Sequence, residues 1–141
     1  MDVNFPGWVG KVQHKNDPNG IDVRIEPKFE IPSGDPYTGG WCRPQTDGPG
    51  LRAMAISKWG LILVAEGMTD QAKSEAWPLV SFDMEWVTEN WGQSGCDLWE
   101  EFTSDDFYWN RMAFAYSLQT AAQFADAIGD HLLIIGPSCE H

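Results

Sequence analysis

Three observations predict an all-α fold. Apolar residues recur at helical spacing in three stretches after residue 48, glycine or proline separates the stretches, and no two alternating runs make a convincing strand pair. Ahead of them, residues 1–47 hold six of the nine prolines and the turn pairs Asn19-Gly20, Gly34-Asp35 and Gly39-Gly40. That segment reads as loop, with a short extended piece at Ile21–Ile25. A chain of 141 residues suits one domain, and at that size about 68–70% of the unfolded surface is buried on folding.

The first helix is expected from Asp47, whose carboxylate can cap free amides, with Pro49 in the first turn. It runs through Leu51, Met54, Trp59 and Ile62 to about Glu66, and Gly67 stops it. Between Lys58 and Glu66 only the ends are charged, so this helix is apolar nearly all round and calls for burial on most sides. A second helical region opens at Thr69-Asp70 and is interrupted or kinked at Trp77-Pro78, because proline cannot donate to the preceding turn. Beyond it Val80, Met84, Val87 and Trp91 form one stripe, flanked by Leu79, Phe82 and Trp86. The third helix follows the acidic cap Ser104-Asp105-Asp106, buries Phe114, Leu118, Ala121, Ala125 and Ile128, and ends at Gly129. His131–Ile135 is a short apolar run of undecided type. Three helices alone leave apolar surface in water, so further chain is expected to cover it.

Charge narrows the partners. Nine Lys and Arg face 21 Asp and Glu, a formal net charge of −12, and residues 48–141 carry −10 of it. Such a surface repels nucleic-acid phosphates and anionic lipid, so neither nucleic acid nor membrane is expected as a partner. No run of about 18 apolar residues exists to span a bilayer. The first residues have neither a basic start nor an apolar stretch and do not read as a secretory signal. His14, His131 and His141 lie far apart and show no metal-ligand spacing with Cys42, Cys96 and Cys139, so neither metal nor other cofactor is implied. One cysteine pair plus a free thiol and three buried thiols both satisfy the count, the buried thiols being the simpler expectation.

Two segments concentrate the chemistry. In Ser94-Gly95-Cys96-Asp97-Leu98-Trp99-Glu100-Glu101-Phe102, three carboxylates are interleaved with Leu98, Trp99 and Phe102. Acid catalysis needs a carboxyl that keeps its proton near neutral pH, and apolar neighbours and a nearby like charge both disfavour ionisation. Adjacent Glu100 and Glu101 meet that requirement. The plainer alternative is that acidic residues ahead of a helix simply favour its dipole. The second segment runs from Tyr37 to Pro49. Its glycine pair lets Trp41 lie close to a ligand, and Arg43, Gln45 and Asp47 offer the fork, amide and carboxylate that sugar hydroxyls require. The alternative here is that Arg43 pairs with Asp47 and Trp41 serves only in packing.

These segments resemble the fungal-type glucoamylase family, the inverting exo-acting glucosidases of glycoside hydrolase family 15. The resemblance rests on Glu26-Pro27-Lys28-Phe29, on Tyr37-Thr38-Gly39-Gly40-Trp41-Cys42-Arg43-Pro44-Gln45-Thr46-Asp47-Gly48-Pro49, on Trp77-Pro78-Leu79-Val80 and on the signature from Ser94 to Ser104. It covers about residues 24–130 and implies an (α/α)6 barrel of which this chain is a part. On that reading 1–47 is a loop-rich opening segment, 48–130 a helical segment and 131–141 a divergent tail. The implied substrate is an α-1,4-glucan of the starch or glycogen type. By the same resemblance Glu100 is the general acid, Asp97 its acidic partner, Trp41 the stacking ring and Tyr37 its neighbour. Arg43, Trp99 and Glu101 line the sugar subsites. Cys42 replaces the family's usual glycine, and Thr46 stands where arginine is common.

Inversion needs two carboxyl groups about 6.5–9.5 Å apart with a water between them. The family's principal base lies further along the chain than this sequence extends, so the remainder of a catalytic domain is the expected partner. The resemblance leaves the compartment open, although the family is usually secreted. A non-catalytic glucan-binding or vestigial fragment is the alternative from another class. A trehalase-like (α/α)6 hydrolase is opposed by the Trp-Glu-Glu run.

Overall fold

In the first helix, α1 (Gly48–Ala65), the buried positions Gly50, Ala53, Ser57 and Gly60 recur at intervals of three and four, the spacing of one helix face. The computed structural model describes Val9, Gly10, Lys15 and residues 17–130. The small-residue face of α1 lets a second long helix, α4 (Tyr108–Ile128), approach closely. Phe114 contacts the backbone at Gly50, and a Cβ on Gly60 would stand 2.3 Å from Phe124 Cζ. Between them in sequence come a single turn, α2 (Thr69–Gln71), a π-helical stretch at Ala72–Ala76 and then α3 (Trp77–Glu89). The helix is not interrupted at Trp77-Pro78: it runs on without a gap and passes from π to α where Pro78 removes a donor.

α1 packs against both α4 and α3, which touch each other much less. The core is formed by Ala53, Ile56 and Leu63 of α1, Val80, Met84, Trp86 and Val87 of α3, and Phe114, Phe124 and Ile128 of α4. The inward face of α1 is therefore the small-residue one. Leu51, Met54 and Trp59 are half-buried, while Ile62 is 60% exposed, so this helix is not enclosed all round. α4 likewise leaves Tyr108, Trp109, Met112 and Tyr116 exposed. Gly67 and Gly129 take positive φ (78° and 72°) at the ends of α1 and α4, as expected of helix stops.

Several local expectations are corrected. Asp47 does not cap α1 with its side chain. Its Oδ2 accepts a 2.8 Å hydrogen bond from Trp109 Nε1, because α4 presents an indole donor at that corner. Nor does the Ser104-Asp105-Asp106 run cap α4, whose flanking residue is Phe107. Instead of an extended piece at Ile21–Ile25 there is a 3-10 turn over Val23–Ile25, nucleated by the Asp22 carboxylate accepting from the Arg24 amide. A short hairpin is present too: β1 (Gly95–Cys96) pairs antiparallel with β2 (Thr103–Ser104), with Gly95 opposite Ser104 and Cys96 opposite Thr103. Strands of two residues carry no readable alternation. The run His131–Ile135 and Cys139 lie outside the described residues.

Candidate active site

The acidic segment forms the turn of the hairpin. Asp97 is buried, and its Oδ1 accepts from the amide of Glu101 at 2.8 Å and, more weakly, from that of Phe102 at 3.5 Å. Its own amide donates to the Phe102 carbonyl, and its carbonyl accepts from the Glu100 amide. Asp97 thus folds the turn that carries Glu100. To close it, Glu100 adopts φ +62°, the left-handed region that residues with a Cβ enter at a cost. Glu100 ends half-buried, with Oε1 accepting a 2.9 Å hydrogen bond from Gln45 Nε2. Glu101 and Trp99 point outward, Trp99 at 80% exposure. A cleft of about 180 Å3 opens beside the turn, walled by Trp99, Phe102, Tyr108 and Trp109.

The loop from Tyr37 to Asp47 is held from inside by charge. Arg43 Nε bonds Glu26 Oε2 at 2.6 Å, and the Glu26 side chain is fully buried. The other guanidinium nitrogens donate to the carbonyls of Gly39, Trp41 and Tyr37. Asn19 Nδ2 reaches the Tyr37 carbonyl as well. Arg43 therefore pairs with Glu26, not with Asp47, and most of its donors go to the loop's own backbone. Over this frame stand two rings. Tyr37 and Trp41 meet edge to face at 6.2 Å, and Lys28 Nζ lies 4.1 and 4.0 Å from their centroids. Trp41 remains 40% exposed, so one tryptophan of this loop is left open to a flat ligand.

The two segments are brought together. A disulfide joins Cys42 to Cys96 across 54 residues of sequence, correcting the expectation of three buried thiols. The Cys96 amide donates to the Pro44 carbonyl at 2.7 Å, and Gln45 reaches Glu100. Thr46 is buried against Gly95, and its Oγ1 accepts from Asn110 Nδ2 on α4 at 2.7 Å. Glu26 and Lys28 were visible in sequence only as part of the family motif, since nothing local marks them as partners of Arg43 and of the rings. No grouping of His, Cys, Asp and Glu suited to a metal occurs among the described residues, and no helix there is long and apolar enough to cross a membrane.

The helical body thus presents a carboxylate-bearing hairpin beside an aromatic, amide-lined loop. The chain belongs to the glycosyl hydrolases family 15, whose model matches residues 7–134. The relatives are glucoamylases. The glucoamylase of Neurospora crassa is 39% identical over 117 residues, covering 77% of this chain and 18% of that protein. Glucoamylase-1 of Schizophyllum commune is 38% identical over 122 residues, covering 84% and 21%. Among solved structures, the Hormoconis resinae glucoamylase superposes with a TM-score of 0.83 at 32% identity over 90% of this chain and 22% of that one. The Hypocrea jecorina family 15 glucoamylase gives 0.81. These structures have an (α/α)6 barrel, and this chain spans about a fifth of the length of each.

Proposed function

We propose that this chain supplies the general-acid half of a glucoamylase site, hydrolysing terminal α-1,4-linked glucose from the non-reducing ends of starch- or glycogen-like glucans with inversion. Glu100 protonates the glycosidic oxygen as the bond to the leaving sugar breaks. The observation that carries this reading is the hydrogen bond from Gln45 to Glu100, which aims one carboxyl from the loop bearing Trp41. Trp41 offers its face to a glucosyl ring beside Tyr37, while Trp99 and Glu101 supply further sugar contacts from the exposed side of the hairpin. Arg43 contributes through loop closure and whatever donor capacity the carbonyls leave. Asp97 sets the turn through Oδ1, which accepts from backbone amides, and serves as the acidic partner of Glu100. The carboxylate that activates water, some 6.5–9.5 Å from the acid, comes from the remainder of the catalytic domain.

Glucose release from maltooligosaccharides by the full-length polypeptide carrying this chain tests the acid. Glu100→Gln is expected to lower kcat by about 10²–10⁴-fold with little change in KM, and equal rates would overturn the assignment. The isolated 141-residue chain is expected to release almost none, and brisk turnover by it would show that no second carboxyl is needed from elsewhere. Maltose binding detected calorimetrically, with no turnover by the full-length polypeptide, would favour the glucan-binding alternative.

A further inference from the structure

We infer that the Cys42–Cys96 disulfide is a positioning element for the proton donor, locking the acid hairpin to the loop that bears Trp41 and Gln45, so that cleaving it costs turnover. The inference rests on the reading of Glu100 as the acid.

The cross-link sits where two halves of the site meet. Cys42 directly follows Trp41, and Cys96 directly precedes Asp97, whose carboxylate folds the turn carrying Glu100. The hairpin is short, although Gly95, Cys96 and Asp97 are buried and Phe102 packs against Phe107. Each strand has two residues, and an isolated two-stranded ribbon of that length is not stable by itself in water. The non-covalent ties between hairpin and loop are the Pro44–Cys96 backbone bond, the Gln45–Glu100 bond and the contact of Thr46 with Gly95. Single hydrogen bonds of this kind contribute modestly once exchange with water is counted.

The covalent bond differs in kind, because it fixes the distance between segments 54 residues apart whatever the solvent does. Gln45 comes three residues after Cys42, and Glu100 four after Cys96. The Gln45–Glu100 contact is therefore a short lever on each side of the cross-link. Displacing the acid by about 1 Å from its working position costs up to about 10²-fold in rate.

The test uses the full-length polypeptide. Non-reducing peptide mapping should recover the Cys42 and Cys96 peptides as one cross-linked species, and their recovery as separate peptides would overturn the proposal. Cys42→Ser/Cys96→Ser is expected to keep its far-UV circular dichroism while kcat on maltooligosaccharides falls about 10-fold or more. The alkaline limb of the pH–rate profile should also move, a change that a purely stabilising cross-link would not produce. If the serine pair fails to fold, mild reduction of the wild type followed by reoxidation reads the same quantities as a reversible loss. An unchanged kcat and unchanged profile in protein verified to lack the bond would sink the positioning role. Glu100→Gln run alongside separates the two ideas. Inactivity of that variant with full activity of the serine pair discards only the disulfide's role, whereas an active Glu100→Gln discards the acid assignment itself.

Discussion

The loop-rich front of the molecule and its helical body are held together by different physics. In the body, α1 meets α3 and α4 through buried apolar and small side chains, each contact modest and most of them replaceable by others of similar volume. In the front, where Val9, Val23 and Ile25 are buried in this way, single polar links and one disulfide add to the holding. Arg24 forks onto Asp22 and donates to the Phe82 carbonyl, Arg43 clamps Glu26, and Lys28 sits against two rings. Arg52 bridges the two regions by pairing with buried Asp83 of α3 while donating to the Arg24 carbonyl. The body is specified by pattern and the front by identity. The candidate site belongs to the front and to the hairpin fastened to it, where orientation of individual groups matters more than bulk.

Substitutions that separate the regions should differ in kind more than in size. Phe124 is fully buried, with Trp77 edge-on at 5.5 Å and Gly60 against its ring. Phe124→Ala is expected to cost about 3–5 kcal/mol, read as a lower urea midpoint of the helical circular dichroism. Arg43→Ala leaves the buried Glu26 carboxylate without its cation, held only by Asn19 and the Lys28 amide, and should cost the front up to about 3–5 kcal/mol while leaving the helical signal in place. Near-UV dichroism from Tyr37 and Trp41 should report that loss. A coincident collapse of both signals would show that front and body are one cooperative unit.

A smaller effect lies in acid. Burial disfavours the Asp22 carboxylate, but hydrogen bonds from Arg24 and the charges of Arg24 and Arg52 outweigh it and hold its carboxyl below the ordinary 3.8. Its contribution is present above that ordinary value and is lost as pH falls through the lower folded one. Asp22→Asn should therefore lessen the fall in urea midpoint below about pH 4. An unchanged slope would show that Asp22 is not among the carboxylates responsible.

The helical skeleton was legible because its signals are local. Pro49, Gly67 and Gly129 mark ends, and the stripes of α3 and α4 repeat at 3.6 residues. What escaped was long-range. Nothing near Arg43 in sequence names Glu26 as its partner 17 residues back, and nothing near Asp47 indicates an indole 62 residues on. The buried face of α1 was obscured because Gly50, Ser57 and Gly60 are chosen for close approach, a property that hydrophobicity does not register. The two segments that the disulfide brings together were legible as a set through motif resemblance. Their division of labour was not: Asp97 organises a turn and Arg43 a loop, roles set by where backbone groups converge.

The left-handed backbone at Glu100 has an evolutionary corollary. Glycine is the residue that such a bend welcomes, and a side chain with a Cβ gives up about 1–2 kcal/mol there. Glu100→Gly relieves that backbone cost but gives up the hydrogen bond from Gln45 and the carboxyl proposed as the proton donor. A lineage released from selection on that carboxyl would be free to drift toward glycine at this position, and glutamate kept there in sibling genes would support the proposed role.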